Sequence, residues 1–317
     1  MKEKRIAIGL LCLSCTLMLF ACGDSGSSTG SSSTGSNTST SSEGSDSRDN
    51  TPVVLTPEAS GTTVYENDSA HIDASNASEG YVMVSYTGTN EKVKLQITCD
   101  GGTTYTYNLT GDGYETFPLS AGSGSYNLTV FENISGTQYS TCLSETIDVE
   151  ITNEFGAFLY PNQYCWFTDS SSCVSKGEEL ASGASDDLDV VSNIYTYVVE
   201  NISYNYDLAA DVESGYLPVP DDTLSSGTGI CLDYASLMAA MLRTQNIPTH
   251  LEVGYAGEAY HAWISVYITD VGWINGIIEF DGESWELMDP TFAANSSESS
   301  LAEFIGDGSN YTTKYIY

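Results

Sequence analysis

Residues 52–152 alternate hydrophobic and polar positions in short runs. Four of these runs have a period of two, which is typical of strands with one buried face. They cover residues 81–86, 93–97, 105–109 and 126–131. Pairs of glycine separate them, as turns would. The pattern predicts an antiparallel β-sandwich, a domain that would act as a spacer or a binding module.

The periodicity changes in residues 153–317. Hydrophobic residues recur every three to four positions in residues 186–202 and again in 231–245, which predicts two amphipathic helices. Residues 212–229 between them are rich in Gly, Pro and Asp and indicate a loop. Four strands should follow, at residues 250–255, 260–268, 273–280 and 285–288. Helices followed by a strand meander predict an α+β domain.

The first 21 residues have the pattern of an export signal. A basic head precedes an apolar run of 15 residues, shorter than the about 20 that span a membrane but suited to a signal-peptide core. Residues 19–22, Leu-Phe-Ala-Cys, resemble the lipobox of bacterial lipoproteins. That resemblance implies cleavage before Cys22 and diacylation of its thiol, which suffices for stable anchoring. We therefore expect a protein lipid-anchored to the outer face of the cell membrane of a Gram-positive bacterium.

The amino-acid composition predicts a flexible tether and limits the kinds of partner that the chain can bind. Of the 28 residues 23–50, 21 are Ser, Gly or Thr, so residues 22–51 should be a flexible tether without a core of its own. The whole chain has 43 Asp and Glu against 9 Lys and Arg, a net charge of −34. Because phosphate binding depends on Lys and Arg, this balance argues against a nucleic-acid partner.

The cysteines support export. Cys12 and Cys15 leave with the signal, and Cys22 is the expected lipidation site, which leaves five. Outside the cell, two disulfides and one free thiol are the natural partition of five cysteines. The predicted partition is Cys99 with Cys142, Cys165 with Cys173, and Cys231 free.

Three residues have the chemistry of a thiol-dependent acyl transfer. Cys231 follows Gly227 and Gly229 where the loop becomes a helix, and a helix start stabilises a thiolate. We expect this thiol to ionise near neutral pH beside an imidazole. His261 lies 30 residues later near the start of a predicted strand, and Asp289 a further 28 residues on, at a strand end. A thiol, an imidazole that takes its proton and a carboxylate that orients the imidazole are the parts required.

The sequence around these residues resembles the transglutaminase-like superfamily, relatives of the papain-like cysteine peptidases. The resemblance covers residues 186–292 and rests on Gly-Ile-Cys at 229–231, Asn-Ile-Pro at 246–248, His-Ala-Trp at 261–263 and Asp-Pro-Thr at 289–291. It implies a papain-like fold with Cys231 as nucleophile, His261 as general base and Asp289 as the orienting acid. We predict no cofactor and no metal site.

Weaker assignments surround this triad. The backbone N–H of Cys231 and the hydroxyl of Tyr204 are the candidate donors to an oxyanion, and the aromatic rings of Tyr234 and Trp263 are candidate walls of the cleft. Many relatives carry an acid two residues after the His-Ala-Trp motif, where this chain has Ser265. Because that position is outside the triad, the departure concerns specificity rather than activity.

The resemblance does not choose between hydrolysis and transfer to an amine, which share a thioester intermediate. We predict a peptidase or amidase acting on a peptide or protein substrate at the cell surface or wall. Three alternatives stay open: a protein cross-linking transglutaminase, a binding module with a vestigial site, and a structural spacer.

Overall fold

The computed structural model describes residues 48–256, 258–274, 278–280, 285–287 and 311–317, which belong to one compact unit spanning 46–317. The fold mixes helices with antiparallel sheets, as the sequence predicts. Within the described part of the chain, no helix has the length and apolar character that crossing a membrane requires. The predicted signal peptide and Cys22 lie outside the described residues.

The N-terminal part consists of two four-stranded antiparallel sheets. One has the strand order β1-β2-β3-β6 and the other β5-β4-β7-β8. Their bounds are β1 Val64–Glu66, β2 Ala70–Asp73, β3 Tyr81–Tyr86, β4 Val93–Cys99, β5 Thr104–Leu109, β6 Glu115–Pro118, β7 Gly124–Ser135 and β8 Gln138–Val149. All four runs with a period of two are therefore strands.

The core of these sheets follows from the alternation. In β4, Val93, Leu95 and Ile97 are buried, whereas the residues between them are partly exposed. Strand β3 differs because all six of its residues are buried. Its second face packs on the C-terminal part, where the rings of Tyr81 and Tyr160 lie 4.5 Å apart.

The C-terminal part is α+β, as expected. Its helices are α1 Ser172–Ala181, α2 Asp187–Asn201, α3 Tyr206–Asp211, α4 Pro220–Ser226 and α5 Cys231–Arg243. Its strands are β9 Ser203–Tyr204, β10 Thr228–Gly229, β11 Thr249–Ala256, β12 Ala259–Ile268, β13 Gly272–Ile274, β14 Ile278–Phe280, β15 Trp285–Leu287 and β16 Tyr311–Ile316. Strands β13-β12-β11-β16 form an antiparallel sheet that packs against α5.

Several short elements depart from the sequence prediction. The expected loop at residues 212–229 contains α4 and β10, because Pro220 starts a helical turn with Asp221 and Asp222 beside its positive end. The expected strand at residues 273–280 is two separate strands, β13 and β14.

Further contacts also join the N- and C-terminal parts. The rings of Tyr105 and Tyr107 lie 5.7 and 6.0 Å from that of Tyr317. Near the N-terminus, Arg48 Nε donates a 2.7 Å hydrogen bond to Asp187, and Val53 N–H donates to the carbonyl of Thr244 at 2.7 Å. The last residues of the expected tether are thus attached to the folded unit, and the two parts share one core. The expected domain boundary at 152–153 stays a prediction.

The predicted disulfides are absent among the described cysteines, which are all free thiols. Cys99 ends β4 opposite Tyr126, whereas Cys142 lies in β8 near the residue paired with Val130. Strand β7 separates the two cysteines sideways, and they are several residues apart along the sheet. Because a disulfide needs α-carbons within about 7 Å, the predicted Cys99–Cys142 bridge is wrong. Cys165 and Cys173 are both buried as thiols and form no bridge in this structure.

Candidate active site

Cys231 is the first residue of α5, as predicted. Gly227 ends α4 with φ 65°, a left-handed conformation that suits glycine. The chain then forms β10, which pairs in parallel with β9. A Cβ on Gly229 would lie 2.6 Å from the Cβ of Asp233, so only glycine allows this close approach. These local features fix the thiol at a helix start.

The electrostatic environment of Cys231 is mixed. Burial raises the pKa of the thiol, and the nearby Asp233 raises it further. The backbone amides of Ala262 and Leu232 oppose this and lower the pKa, but burial outweighs them. The helix position alone therefore does not lower the pKa of this thiol, and the expectation that it ionises near neutral pH beside an imidazole stays a prediction. A proton acceptor is needed to form the thiolate.

His261 lies on β12 as the alternation predicts. Its neighbours Ala262 and Ile264 are buried in the core that includes α5. The imidazole and Cys231 line the same cavity. Because the backbone amide of Ala262 lowers the pKa of the Cys231 thiol, the main chain immediately after His261 lies beside that thiol. The third expected residue, Asp289, lies outside the described residues.

Tyr204 is beside Cys231, as its candidate role requires. Strand pairing places it opposite Gly229. Burial raises the pKa of the Tyr204 hydroxyl, and the Cys231 thiol adds to this, whereas the backbone N–H of Cys231 lowers it. The two candidate oxyanion donors are therefore neighbours. The role of Tyr204 in stabilising an oxyanion stays a prediction.

The cavity at this site has a volume of about 510 Å³. Cys231, His261 and Tyr204 line this cavity. The sequence predicts that Cys231 and His261 share a cleft. Trp263 and Tyr234 are not among the described residues that line it; both are buried. The expectation that they form its walls is therefore wrong. The Tyr234 hydroxyl donates to the carbonyl of Ile202 at 2.6 Å, and the Trp263 ring stacks with that of His261 at 6.3 Å.

A hydrogen bond that the sequence did not predict attaches the cavity wall to helix α5. The hydroxyl of Tyr216, in the loop after α3, donates to Asp233 Oδ1 at 2.8 Å. The other oxygen, Oδ2, accepts the N–H of Ile230 at 2.8 Å and so caps α5. An acid three residues after the cap position is a readable sign of the capping bond, but the link to Tyr216 crosses 17 residues.

The region around Cys231 and His261 is similar to a known protein family. The model of the transglutaminase-like superfamily matches residues 175–276. These residues form a transglutaminase-like domain. The match includes Cys231 and His261 and ends before Asp289. UPF0252 protein MJ1282 of Methanocaldococcus jannaschii is 36% identical over 90 residues, 25% of this chain and 26% of that protein. This chain thus spans about a quarter of the length of that curated relative.

Solved structures also resemble the chain in part. A proposed cysteine protease from Cytophaga hutchinsonii is 16% identical with a TM-score of 0.35, over 67% of each chain. A proposed protease from Parabacteroides distasonis is 14% identical with a TM-score of 0.27, over 56% of this chain and 36% of that one. Red sea bream transglutaminase is 12% identical with a TM-score of 0.23, over 67% of this chain and 48% of that one.

A carboxylate of the neighbouring strand β11 lies next to Ser265. Ser265 Oγ donates a hydrogen bond to Glu252 Oε1, and Thr313 Oγ1 donates to Oε2 at 2.6 Å. Burial alone would raise the pKa of Glu252, but His250, Ser265 and Thr313 outweigh it and lower the pKa. The buried Glu252 is therefore ionised, and strand pairing puts it opposite Trp263, on the face of the sheet that carries His261.

Proposed function

We propose that this protein is a cysteine-dependent acyl-transfer enzyme that hydrolyses amide bonds in peptides or proteins. The proton of Cys231 passes to His261, and the sulfur attacks the carbonyl carbon of the amide. The amine leaves with the proton of the imidazolium, which gives a thioester on Cys231. Water then attacks the thioester and gives a proton to His261. The acid leaves as the thiol regains that proton.

The observation that carries the proposal is the common cavity of Cys231 and His261. The thiol is at the start of α5. Its sulfur accepts a hydrogen bond from the backbone N–H of Ala262, the residue after His261. This arrangement supplies a nucleophile, an adjacent base and backbone N–H groups for an oxyanion. Asp289 is the proposed orienting acid on the sequence resemblance alone.

The raised pKa of the Cys231 thiol gives a direct test of the base. In the wild-type protein, iodoacetamide should alkylate Cys231 at neutral pH, because His261 takes the proton. In His261→Ala the alkylation should move to alkaline pH, because burial then acts without a base. His71→Ala, which removes an imidazole in the sandwich, is the matched control and should leave the profile unchanged. Identical profiles for the His261→Ala and wild-type proteins would contradict the proposed proton transfer.

Hydrolysis is tested with a peptide pool whose products are identified by mass spectrometry. Cys231→Ala and His261→Ala should each remove nearly all cleavage with little change in the free energy of unfolding. Asp289→Asn should keep some rate, because it weakens orientation and leaves the nucleophile. Cys142→Ala, a thiol of the sandwich, is the control and should cleave normally. Full cleavage by Cys231→Ala would refute the mechanism. Adding a primary amine separates the cross-linking alternative, since an amine adduct replaces the acid product there.

We also propose that the enzyme acts at the cell surface, anchored through lipids on Cys22. The support is the basic head, the apolar run and the Leu-Phe-Ala-Cys sequence. Cys22→Ala should move the protein out of the membrane fraction, and Cys12→Ala, inside the predicted signal, should not. Membrane retention of Cys22→Ala would place the anchor elsewhere.

A further inference from the structure

The cavity beside Cys231 has an aromatic lining with a single carboxylate among its described residues. Glu213, an exposed residue of the loop after α3, contributes the carboxylate. The described lining contains no Lys or Arg. Its aromatic residues are Tyr164, Tyr204, Tyr216, Tyr260 and Tyr317. Such a surface offers ring faces and one negative charge to whatever enters.

Three large apolar side chains in or beside this cavity are exposed. Tyr260 lines the cavity and is 58% exposed. Tyr206 is 62% exposed, with its ring 5.0 Å from that of Tyr204. Val212, also in the lining, is 41% exposed. Grouped exposed apolar side chains next to a cavity are typical of a binding surface.

The charges at this cavity favour a cation. Helix α3 carries the exposed Asp207 and Asp211, two to six residues before Glu213. Lys314 is a base of the sheet that carries His261, but its Nζ lies over the ring of Tyr255. Neither residue is part of the described lining of the cavity. The chain as a whole has a net charge of −34, and a field of one sign attracts substrates of the opposite sign.

We propose that the cavity selects peptides with a Lys or Arg side chain next to the scissile amide, and that Glu213 recognises the positive charge. This inference rests on the proposed function and names its substrate class. The methylene stem of the side chain packs on the tyrosine rings, whose faces also attract the charged end. The carboxylate of Glu213 then pairs with that end at the exposed side of the cavity.

The test compares three peptides that differ only in the residue on the acyl side of the scissile amide: lysine, its neutral isostere norleucine, or glutamate. The expected order of kcat/KM is lysine, norleucine, glutamate. At an exposed site an ion pair or a cation–π contact amounts to a factor of up to about five. Glu213→Gln should therefore reduce the ratio of lysine to norleucine rates by about threefold to fivefold, and high salt should do the same. Glu150→Gln, an exposed acid after β8, is the matched control and should leave the ratio unchanged.

A second readout separates this inference from the proposed function. Fluorescent forms of the three peptides are titrated into Cys231→Ala, and their anisotropy is measured. Binding in the order lysine, norleucine, glutamate supports the inference even where no peptide is cleaved. Equal cleavage of the three peptides that disappears in Cys231→Ala would keep the proposed function and overturn the inference. Equal or absent binding of the three peptides would also overturn the inference. N-acetylglucosamine oligomers are titrated as a second class of ligand, and their binding without binding of the lysine peptide would overturn the inference as well.

Discussion

Arg243, the last residue of α5, is buried as a charge, and its removal should destabilise the fold far more than the removal of a surface charge. The side chain is 1% exposed. Its Nε and Nη2 donate to the carbonyl of Thr249 at 3.1 and 2.8 Å. Its Nη1 donates to Tyr160 O at 3.0 Å, and Nη2 also donates to Tyr317 O at 2.6 Å. The guanidinium thus joins the nucleophile helix to β11, to the segment before α1 and to the end of the chain.

Arg243→Met keeps an apolar stem of similar length and removes every one of these donors. The carbonyls of Thr249 and Tyr160 lose their guanidinium bonds, at about 1–3 kcal/mol for each acceptor left unsatisfied. The carbonyl of Tyr317 keeps the N–H of Leu251, at 3.0 Å. Part of the loss is offset because no charge has to be desolvated. We expect a net loss of about 2–4 kcal/mol in the free energy of unfolding.

Urea denaturation followed by circular dichroism and tryptophan fluorescence measures this loss. Arg243→Lys keeps the charge but not the planar fork and should fall between wild type and Arg243→Met. Lys176→Met removes a partly exposed charge that pairs with Glu179 within α1 and should change stability by less than about 0.5 kcal/mol. The reasoning would be refuted by an Arg243→Met protein as stable as this surface control.

Three further predictions concern the site and its surroundings. Tyr216→Phe removes the bond to Asp233 and should raise KM more than it lowers kcat, as steady-state kinetics on a cleaved peptide will measure; an equal loss in kcat would contradict a positioning role. Mass mapping after brief iodoacetamide treatment should find Cys231 alkylated and the fully buried Cys173 unmodified, whereas prior reaction of Cys173 would contradict that burial. Burial lowers the pKa of His250 below the usual 6.5, so the unfolded chain binds the proton first and stability should fall as pH drops below 6.5. Urea titrations across pH should show a smaller fall in His250→Gln, and an equal fall would locate the proton elsewhere.

Local patterns predicted the elements with a strong period. Strand β3 begins and ends where the alternation does, and α2 and α5 begin within one residue of their predicted starts. Strands β9 and β10 are two residues long, too short to have a period, yet their pairing places Tyr204 beside Cys231. The Cys99–Cys142 bridge was predicted from the number of cysteines, which suggested two pairs and one free thiol. The order of the strands decides which cysteines meet, and the number of cysteines contains no information on that order.

For the same reason, the sequence did not predict the direction in which the pKa of the Cys231 thiol is shifted. A helix start is visible in the sequence, and its effect on Cys231 is present as the amides that lower the pKa. Burial and the charge of Asp233 act in the opposite direction, and both depend on how the chain packs around that helix. Sequence therefore predicts that Cys231 begins a helix better than it predicts the direction of its pKa shift.

The carboxylate beside Ser265 extends this argument to the comparison of motifs. Along β12, position 265 carries a serine and not an acid. Read across the sheet, Glu252 of β11 pairs with Trp263, and its side chain reaches diagonally to Ser265. Burial raises the pKa of that carboxylate, but His250 and the hydroxyls of Ser265 and Thr313 outweigh it and lower the pKa. A carboxylate of the neighbouring strand thus lies next to position 265, and substitutions at Ser265 and Glu252 should change the free energy of unfolding as one coupled pair rather than as independent sites.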